Sequence, residues 1–170
     1  MANKKPFAVV IDTTLLNYLG GLNLIPFLPL VVARVLVPPE VKKEVRAKGA
    51  RVWRQINNEF NLMRGFFIDC YECNEETKLI LTADLDIGEA AVIAQAEVTN
   101  AAVIIDEKAG YEIAVKMSLT VIRTGRLLLM LKEAGAIPTI KPYLDELRKR
   151  GFSLSEKTYQ ELLLEAQEQD

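Results

Sequence analysis

Two aspartates end apolar, β-branched stretches of this chain. Asp12 ends the run FAVVID at residues 7 to 12, and Asp106 ends the run AVIID at residues 102 to 106. If the two runs are neighbouring parallel strands, both carboxylates emerge at the same carboxyl edge of a sheet, where open α/β proteins keep their sites. The pattern therefore predicts that Asp12 and Asp106 lie together.

Two glutamates extend this acidic set. Glu44 borders the apolar stripe of Val41 and Val45 on a predicted helix, and Glu89 lies near the start of a helix rich in small and apolar residues. Carboxylates pressed together raise one another's pKa, and a divalent cation relieves that repulsion. Oxygen-only ligands suit Mg²⁺ or Mn²⁺, which polarises a phosphate and activates water for in-line attack. The acids thus predict a metal site for phosphate chemistry.

The aspartates also have a structural interpretation. Asp is a favoured N-cap residue, so Asp12 and Asp106 can each cap the helix that follows. The buried context of Asp12 favours a functional role, whereas both interpretations stay open for Asp106. Thr13 and Thr14 are interpreted as capping or supporting groups, because neither hydroxyl has a base that would make it a nucleophile.

The glutamates have structural alternatives as well. Glu89 follows Asp86 by three residues, which is the spacing of a capping box. Glu44 lies between Glu40 and Lys48 at helical spacing, so a surface ion-pair ladder is the alternative for it.

The residue types that are missing exclude several chemistries. The chain has no histidine, which rules out Ser-His-Asp and Cys-His catalysis and every His-containing metal site. Its only cysteines form CYEC at residues 70 to 73, without the second ligand pair of a structural zinc site. We expect two reduced thiols on a strand, with a redox pair as the alternative. An aspartyl-phosphate mechanism of the haloacid-dehalogenase type is disfavoured as well. Those phosphatases carry a second Asp two residues after the first, and this chain has Thr14 at that position.

Composition favours one globular domain with a local basic patch. The 170 residues are 50% apolar and carry a net charge of -2, so no global basic field would attract nucleic acid. The segment KKEVRAKGARVWR at 42 to 54 could track a phosphate backbone, although a solvated helical face is the alternative. Its members include Lys43, Arg46, Arg51 and Trp53. Arg123 and Arg126 follow a predicted strand end and are better placed to contact phosphate.

The elements that must position these residues alternate along the chain. Alternation of strands and helices indicates βαβ units and a three-layer α/β/α sandwich with a central parallel sheet. The apolar runs predict buried strands at residues 7 to 12, 33 to 38, 66 to 73, 102 to 106 and 119 to 122. Helices are predicted at residues 13 to 20, 39 to 48, 52 to 63, 86 to 98, 108 to 117 and 125 to 134.

The pattern changes after residue 135. Two helices joined at Gly151 follow, the second opened by Ser153 with Glu156 at capping-box spacing. We therefore divide the chain into an α/β domain at residues 1 to 135 and a helical extension at residues 136 to 170 that packs on it.

No segment has the pattern of a secretion signal or a membrane helix. The apolar stretch near the N-terminus is short and is broken by Asp12. The longest apolar segment carries Pro26, Pro29 and Arg34 and falls short of the roughly 20 residues that a membrane helix needs. We expect a cytoplasmic protein that does not enter the membrane.

Motifs along nearly the whole chain, in order, resemble a PIN-domain protein. Within that superfamily, they are similar to a group of predicted nucleic-acid-binding proteins once labelled a domain of unknown function. The matching stretches are VVIDTTLLNYL, VLVPPEVKKEV, LDIGEAAVIAQA, VIIDEKAGYEIA and the segment from LTVIRTGRLLLMLKEAG to SEKTYQELL.

The resemblance implies an α/β/α fold with a parallel sheet and a metal-dependent endoribonuclease site. By motif position, it assigns four catalytic acids: Asp12, Glu44, Glu89 and Asp106. Asp12, Glu89 and Asp106 are then the expected ligands of Mg²⁺ or Mn²⁺. Thr13 or Thr14 would orient the first Asp. Glu107, where relatives often have a second Asp, would be an auxiliary acid.

The same resemblance implies partners. PIN-like proteins frequently serve as toxins of toxin-antitoxin pairs, so the expected partners are an RNA substrate, a small antitoxin protein and a second copy in a homodimer. The alternative is a catalytically inactive module that binds nucleic acid or protein. A phosphatase comes third, and turnover of small phosphomonoesters would distinguish it.

Overall fold

A five-stranded parallel sheet forms the centre of the computed structural model, which describes residues 7 to 81 and 84 to 168. The strands of this described part are β1 (Ala8–Ile11), β2 (Arg34–Val37), β3 (Phe67–Asp69), β4 (Ala102–Ile104) and β5 (Val121–Ile122). Their order across the sheet is β3-β2-β1-β4-β5, and every neighbouring pair is parallel.

Helices flank this sheet, so the predicted α/β/α sandwich is confirmed. They are α1 (Thr13–Gly21), α2 (Pro39–Ala47), α3 (Ala50–Leu62), α4 (Asn74–Ile80), α5 (Ile87–Thr99), α6 (Lys108–Lys116), α7 (Thr124–Glu133), α8 (Lys141–Lys149) and α9 (Glu156–Glu165). A short 3-10 helix spans Ile25–Leu30. The sequence patterns predicted all of these helices except α4 and the 3-10 helix.

The central strand β1 creates the switch point of the sheet. β1 pairs with β2 on one side, where Val10 lies opposite Leu36, and with β4 on the other, where Ile11 lies opposite Ile104. Strand order therefore reverses between β1 and β4, and the crevice outside their carboxyl ends is where doubly wound sheets bind ligands.

The centre of the core is formed by strands β1 and β4 and by helix α5. Val10, Ile11 and Ile104 are fully buried, as expected for a strand pair covered on both faces. Helix α5 packs against both strands and is buried along residues 90 to 96. Alanines make up much of that stretch, and their small side chains let the helix lie close to the sheet.

Two local predictions were wrong. The strand predicted at residues 66 to 73 ends at Asp69, so Cys70 and Cys73 follow the strand instead of lying on it. Both thiols are free, and burial raises the pKa of Cys70 to about 11, which makes it a poor nucleophile.

Helix α9 is capped by Ser155, whose Oγ accepts the Thr158 N–H at 3.1 Å, and not by Ser153. Either serine precedes a polar residue by three, so spacing alone did not distinguish them.

The last two helices share the core of the sheet. Leu144, Leu147 and Leu163 are at most 1% exposed and belong to the same apolar cluster as β1. The Glu168 carboxylate accepts hydrogen bonds from the Lys132 ammonium at 2.7 Å and the Ile140 N–H at 2.7 Å, which ties the end of α9 to α7 and α8. The division at residue 135 stays a prediction.

The described ranges contain no helix that is long and apolar enough to cross a membrane.

Neighbouring leucines on α9 provide a test of this packing. Leu163 is 1% exposed and Leu164 is 79% exposed. We expect Leu163→Ala to lower the free energy of unfolding by about 2 to 5 kcal/mol because it leaves a cavity. Leu164→Ala, the matched control, should change it by no more than about 0.5 kcal/mol. Urea unfolding followed by circular dichroism measures both, and equal small effects would contradict the docking of α9.

Candidate active site

Asp12 lies at the carboxyl end of β1 and caps α1. Its Oδ1 accepts the Leu15 N–H at 2.7 Å, and the residue is only 8% exposed. The pKa of Asp12 is raised from its ordinary value of 3.8 to about 7, chiefly by burial. The charges of nearby acids add to this rise, and the Leu15 N–H opposes it. The capping role and a place in an acidic site are therefore both present in one side chain.

Asp106 follows β4 and is held by the start of α7. The Thr124 N–H donates to Asp106 Oδ1 at 3.0 Å, and the Thr124 hydroxyl donates to Oδ2. Burial raises the pKa of Asp106, while Thr124 and the Arg123 charge oppose that rise. Asp106 does not cap α6, because Glu107 takes that position and accepts the Gly110 N–H at 3.1 Å.

Thr124 is a site residue that the sequence patterns did not indicate. It is 1% exposed and opens α7 directly after the β5 strand. One feature of the sequence could have indicated it: Thr124 and Arg123 follow a predicted strand end. Because β5 and β4 are neighbours, their carboxyl ends lie at the same edge of the sheet.

Glu89 takes part in the predicted capping box, which is confirmed. The Glu89 N–H donates to Asp86 Oδ1 at 2.8 Å, and Glu89 Oε2 accepts the Asp86 N–H at 3.2 Å. Glu89 is half-buried, and burial raises its pKa. The structural and the acidic-site interpretations again coexist.

Glu44 lies against the first turn of α5. A Cβ on Gly88 would overlap the Glu44 carboxylate, so glycine at that position makes room for it. Burial raises the pKa of Glu44, and the adjacent Thr13 hydroxyl opposes the rise. That hydroxyl is buried and makes no hydrogen bond of normal geometry within the described residues. Among the described residues, Glu44 and Lys48 do not form a direct ion pair, although the Lys48 charge lowers the pKa of Glu44.

Several of these acids line one cavity of about 710 Å³, which we call the acidic cavity. Asp12, Glu89, Asp106 and Glu107 line it, whereas Glu44 does not. The exposed Thr14 also lines it, and residues 151 to 153, between α8 and α9, form part of its wall.

The residue types around this cavity are suitable metal ligands, but their side chains are not arranged as a complete metal site. In residues 7 to 81 and 84 to 168, no three carboxylate or thiol side chains are placed closely enough to hold one ion. Asp12 is nevertheless buried and Asp106 half-buried, and the direct hydrogen-bond partners of both carboxylates are neutral donors. A hard divalent cation with water in its remaining positions fits such a donor set, because Mg²⁺ usually binds one or two carboxylates and keeps several waters.

Arg123 is the predicted nucleic-acid contact that reaches the cavity. Its guanidinium lies over the Tyr111 ring at 4.6 Å and donates to the Asp106 carbonyl at 3.1 Å. Arg126 points elsewhere, since it pairs with Glu165 at 2.6 Å.

The basic segment on α2 and α3 lies outside the cavity lining. Lys43 pairs with Glu72 at 3.1 Å, Arg46 stacks on Trp53 at 4.3 Å, and Arg51 is exposed. None of these three described residues lines the acidic cavity.

Comparison with known proteins gives the class. Residues 8 to 168 match the family model described as a PIN domain, and the chain belongs to this family. PIN domains are commonly nucleases, so membership indicates a hydrolase in broad terms. The crystal structure of PAE2754 from Pyrobaculum aerophilum is similar at 12% identity and a TM-score of 0.49, covering 77% of this chain and 97% of that one. No curated protein matches the chain.

Burial of Asp12 predicts how stability varies with pH. Its pKa is 3.8 when unfolded and about 7 when folded, so the native state binds more protons between these values and the free energy of unfolding falls as pH rises. Asp12→Asn keeps an oxygen for the Leu15 N–H and removes the charge. In EDTA at about pH 8, we expect it to be more stable than wild type by on the order of 1 to 3 kcal/mol.

Urea titrations at about pH 4 and about pH 8 measure this difference. The gain should shrink at the lower pH, where Asp12 is protonated in the native state and no buried charge remains to be relieved. Glu97→Gln, at the exposed end of α5, is the control and should show no such pH dependence. An Asp12→Asn variant no more stable than wild type at the higher pH would contradict the burial of the charge.

Proposed function

We propose that this PIN-domain protein is a metal-dependent endoribonuclease that hydrolyses phosphodiester bonds in RNA. The observation that supports the proposal best is the convergence of Asp12, Glu89 and Asp106 on one cavity at the switch point of the sheet. Buried carboxylates without a cation destabilise the fold, so their presence at a ligand-binding edge calls for a role beyond folding.

The donor set fits Mg²⁺ or Mn²⁺. Asp12 and Asp106 would hold the ion, and the nearby Glu89 and Glu44 would add negative charge to the site. Such an ion polarises a phosphate and activates a water molecule for in-line attack. Arg123, which contacts Tyr111 and the Asp106 carbonyl, would bind a phosphate oxygen of the substrate.

The chain's own hydrogen bonds keep the two aspartates oriented. The Leu15 N–H holds Asp12, and Thr124 holds both oxygens of Asp106. Fixed carboxylates lose little freedom when a ligand arrives, which favours binding. A toxin role, an antitoxin partner and a homodimer stay predictions from the family resemblance.

Cleavage of a panel of structured and single-stranded RNAs with Mg²⁺ or Mn²⁺ tests the activity. We expect wild type to cleave, EDTA to abolish cleavage, and Asp12→Asn to lower the rate by at least about 100-fold, since even indirect partners of metal ligands contribute about 10- to 100-fold. Glu97→Gln on α5 should cleave like wild type.

Two results would overturn the proposal. Folded wild-type protein that cleaves no RNA with either metal would favour the inactive binding module. Turnover of small phosphomonoesters without RNA cleavage would favour a phosphatase.

Thr124 offers a second test of the same site. Thr124→Val keeps the shape of the side chain and removes the hydroxyl that donates to Asp106. We expect Mn²⁺ affinity to fall about 10- to 100-fold, with Thr124→Ser close to wild type. Calorimetric titration with Mn²⁺ measures this, and equal affinity in all three proteins would contradict the assignment of Asp106 as a ligand.

A further inference from the structure

The connection between α8 and α9, residues 151 to 155, forms one side of the acidic cavity, and we call it the α8–α9 segment. Phe152 and Ser153 of this segment line the cavity. The Phe152 ring meets the ring of Tyr18 on α1 edge-on, with 5.6 Å between the ring centroids, and Tyr18 lines the cavity as well. Such a wall contributes to binding when its backbone is held in one place.

The end of α8 fixes the first half of the α8–α9 segment. The Gly151 N–H donates to the Arg148 carbonyl at 3.0 Å, and the Phe152 N–H donates to the Leu147 carbonyl at 2.9 Å. These are the two hydrogen bonds of a Schellman motif, which requires the positive φ of 88° that Gly151 adopts. Leu147 is fully buried, so the backbone of Phe152 is tied to the core.

The Arg148 side chain fixes the second half of the segment. Its guanidinium donates to the Leu154 carbonyl at 3.3 Å and pairs with Glu156 at 3.0 Å. The same group lies over the ring of Tyr159 at 4.0 Å, and Tyr159 is only 3% exposed. A planar guanidinium can stack on a ring and donate several hydrogen bonds at once, which a lysine ammonium cannot. Arg148 therefore holds the segment against a buried support.

Arg148 acts at a distance from the acids. In the part of the chain that the structure describes, neither Arg148 nor its partners Leu154 and Tyr159 line the acidic cavity. A change at Arg148 therefore leaves the carboxylates in place and reaches the cavity through Phe152.

We propose that Arg148 is a positioning residue, whose guanidinium holds the α8–α9 segment so that the Phe152 ring forms the wall against which the substrate binds. The effect on RNA cleavage rests on the proposed nuclease function. Phe152 adjoins the cavity but supplies no ligand or reacting group. The loss of its ring should therefore raise KM and leave kcat nearly unchanged.

The position of the Phe152 ring can be measured without RNA or metal. Incorporation of 4-fluorophenylalanine labels the six phenylalanines, and Phe152→Leu identifies the resonance of Phe152 by its loss. In EDTA, we expect Arg148→Met to shift this fluorine resonance, because the ring moves away from the edge of Tyr18. Lys149→Met removes the same charge from an exposed neighbour on α8 and should leave the resonance in place.

Steady-state cleavage of RNA measures the consequence for the site. We expect Phe152→Leu and Arg148→Met to raise KM about five- to tenfold, with kcat within about twofold of wild type. Arg148→Lys keeps the charge and should also raise KM, because an ammonium cannot replace the stacked guanidinium. A purely structural role predicts the opposite result, since loss of folded protein lowers the apparent kcat and does not change KM.

A double variant shows whether Arg148 acts through Phe152. Arg148→Met should cause no further rise in KM in a protein that already carries Phe152→Leu, and Lys149→Met should have the KM of wild type. If Arg148→Met does not fold, Arg148→Lys is used for the same measurements. An unshifted Phe152 resonance, or effects of the two substitutions on KM that simply multiply, would overturn the inference.

The remaining outcomes separate this inference from the nuclease function. If wild type cleaves RNA and Phe152→Leu leaves KM unchanged, the inference is overturned and the nuclease function stands. If wild type cleaves no RNA with Mg²⁺ or Mn²⁺, the nuclease function is overturned. In that case a shifted Phe152 resonance in Arg148→Met still supports the positioning of the ring by Arg148.

Discussion

The burial of the Asp12 carboxylate at the end of the central strand is the constraint on which the site depends. Strand β1 is the middle strand of the sheet, with a partner on each side. Asp12 therefore has little access to water, and burial raises its pKa to about 7. A carboxylate in this position is stabilised either by binding a proton or by a nearby cation. The choice between them links the stability of the protein to what occupies the adjoining cavity.

Capping a helix and lining the acidic cavity are not alternatives in this protein. Asp12 and Glu107 accept hydrogen bonds from the first turn of the helices that they cap, and Glu89 accepts the Asp86 N–H at the start of α5. All three line the acidic cavity. Three helices thus begin at one edge of the sheet, and the backbone N–H groups there favour negative charge. The fold can concentrate carboxylates at this edge because each one has local hydrogen-bond donors before any ligand binds.

Two regions distant in sequence complete the surroundings of the acids. Thr124, at the start of α7, fixes Asp106, and residues 151 to 153 between α8 and α9 form part of the cavity wall. The C-terminal helices bury leucines in the main core, so this wall is anchored by the same packing that stabilises the sheet.

The sequence by itself determined the sheet, most helices and the acids at strand ends, because apolar periodicity and capping residues act over a few neighbouring positions. It placed Asp12 and Asp106 after their strands, and their pairing follows from the parallel order of β1 and β4. Only the tertiary structure decided that Glu44 lies against the first turn of α5 and outside the lining of the acidic cavity, and that Glu107 and not Asp106 caps α6. These outcomes depend on which helices pack together, and contacts between distant segments leave no periodic signal in the chain.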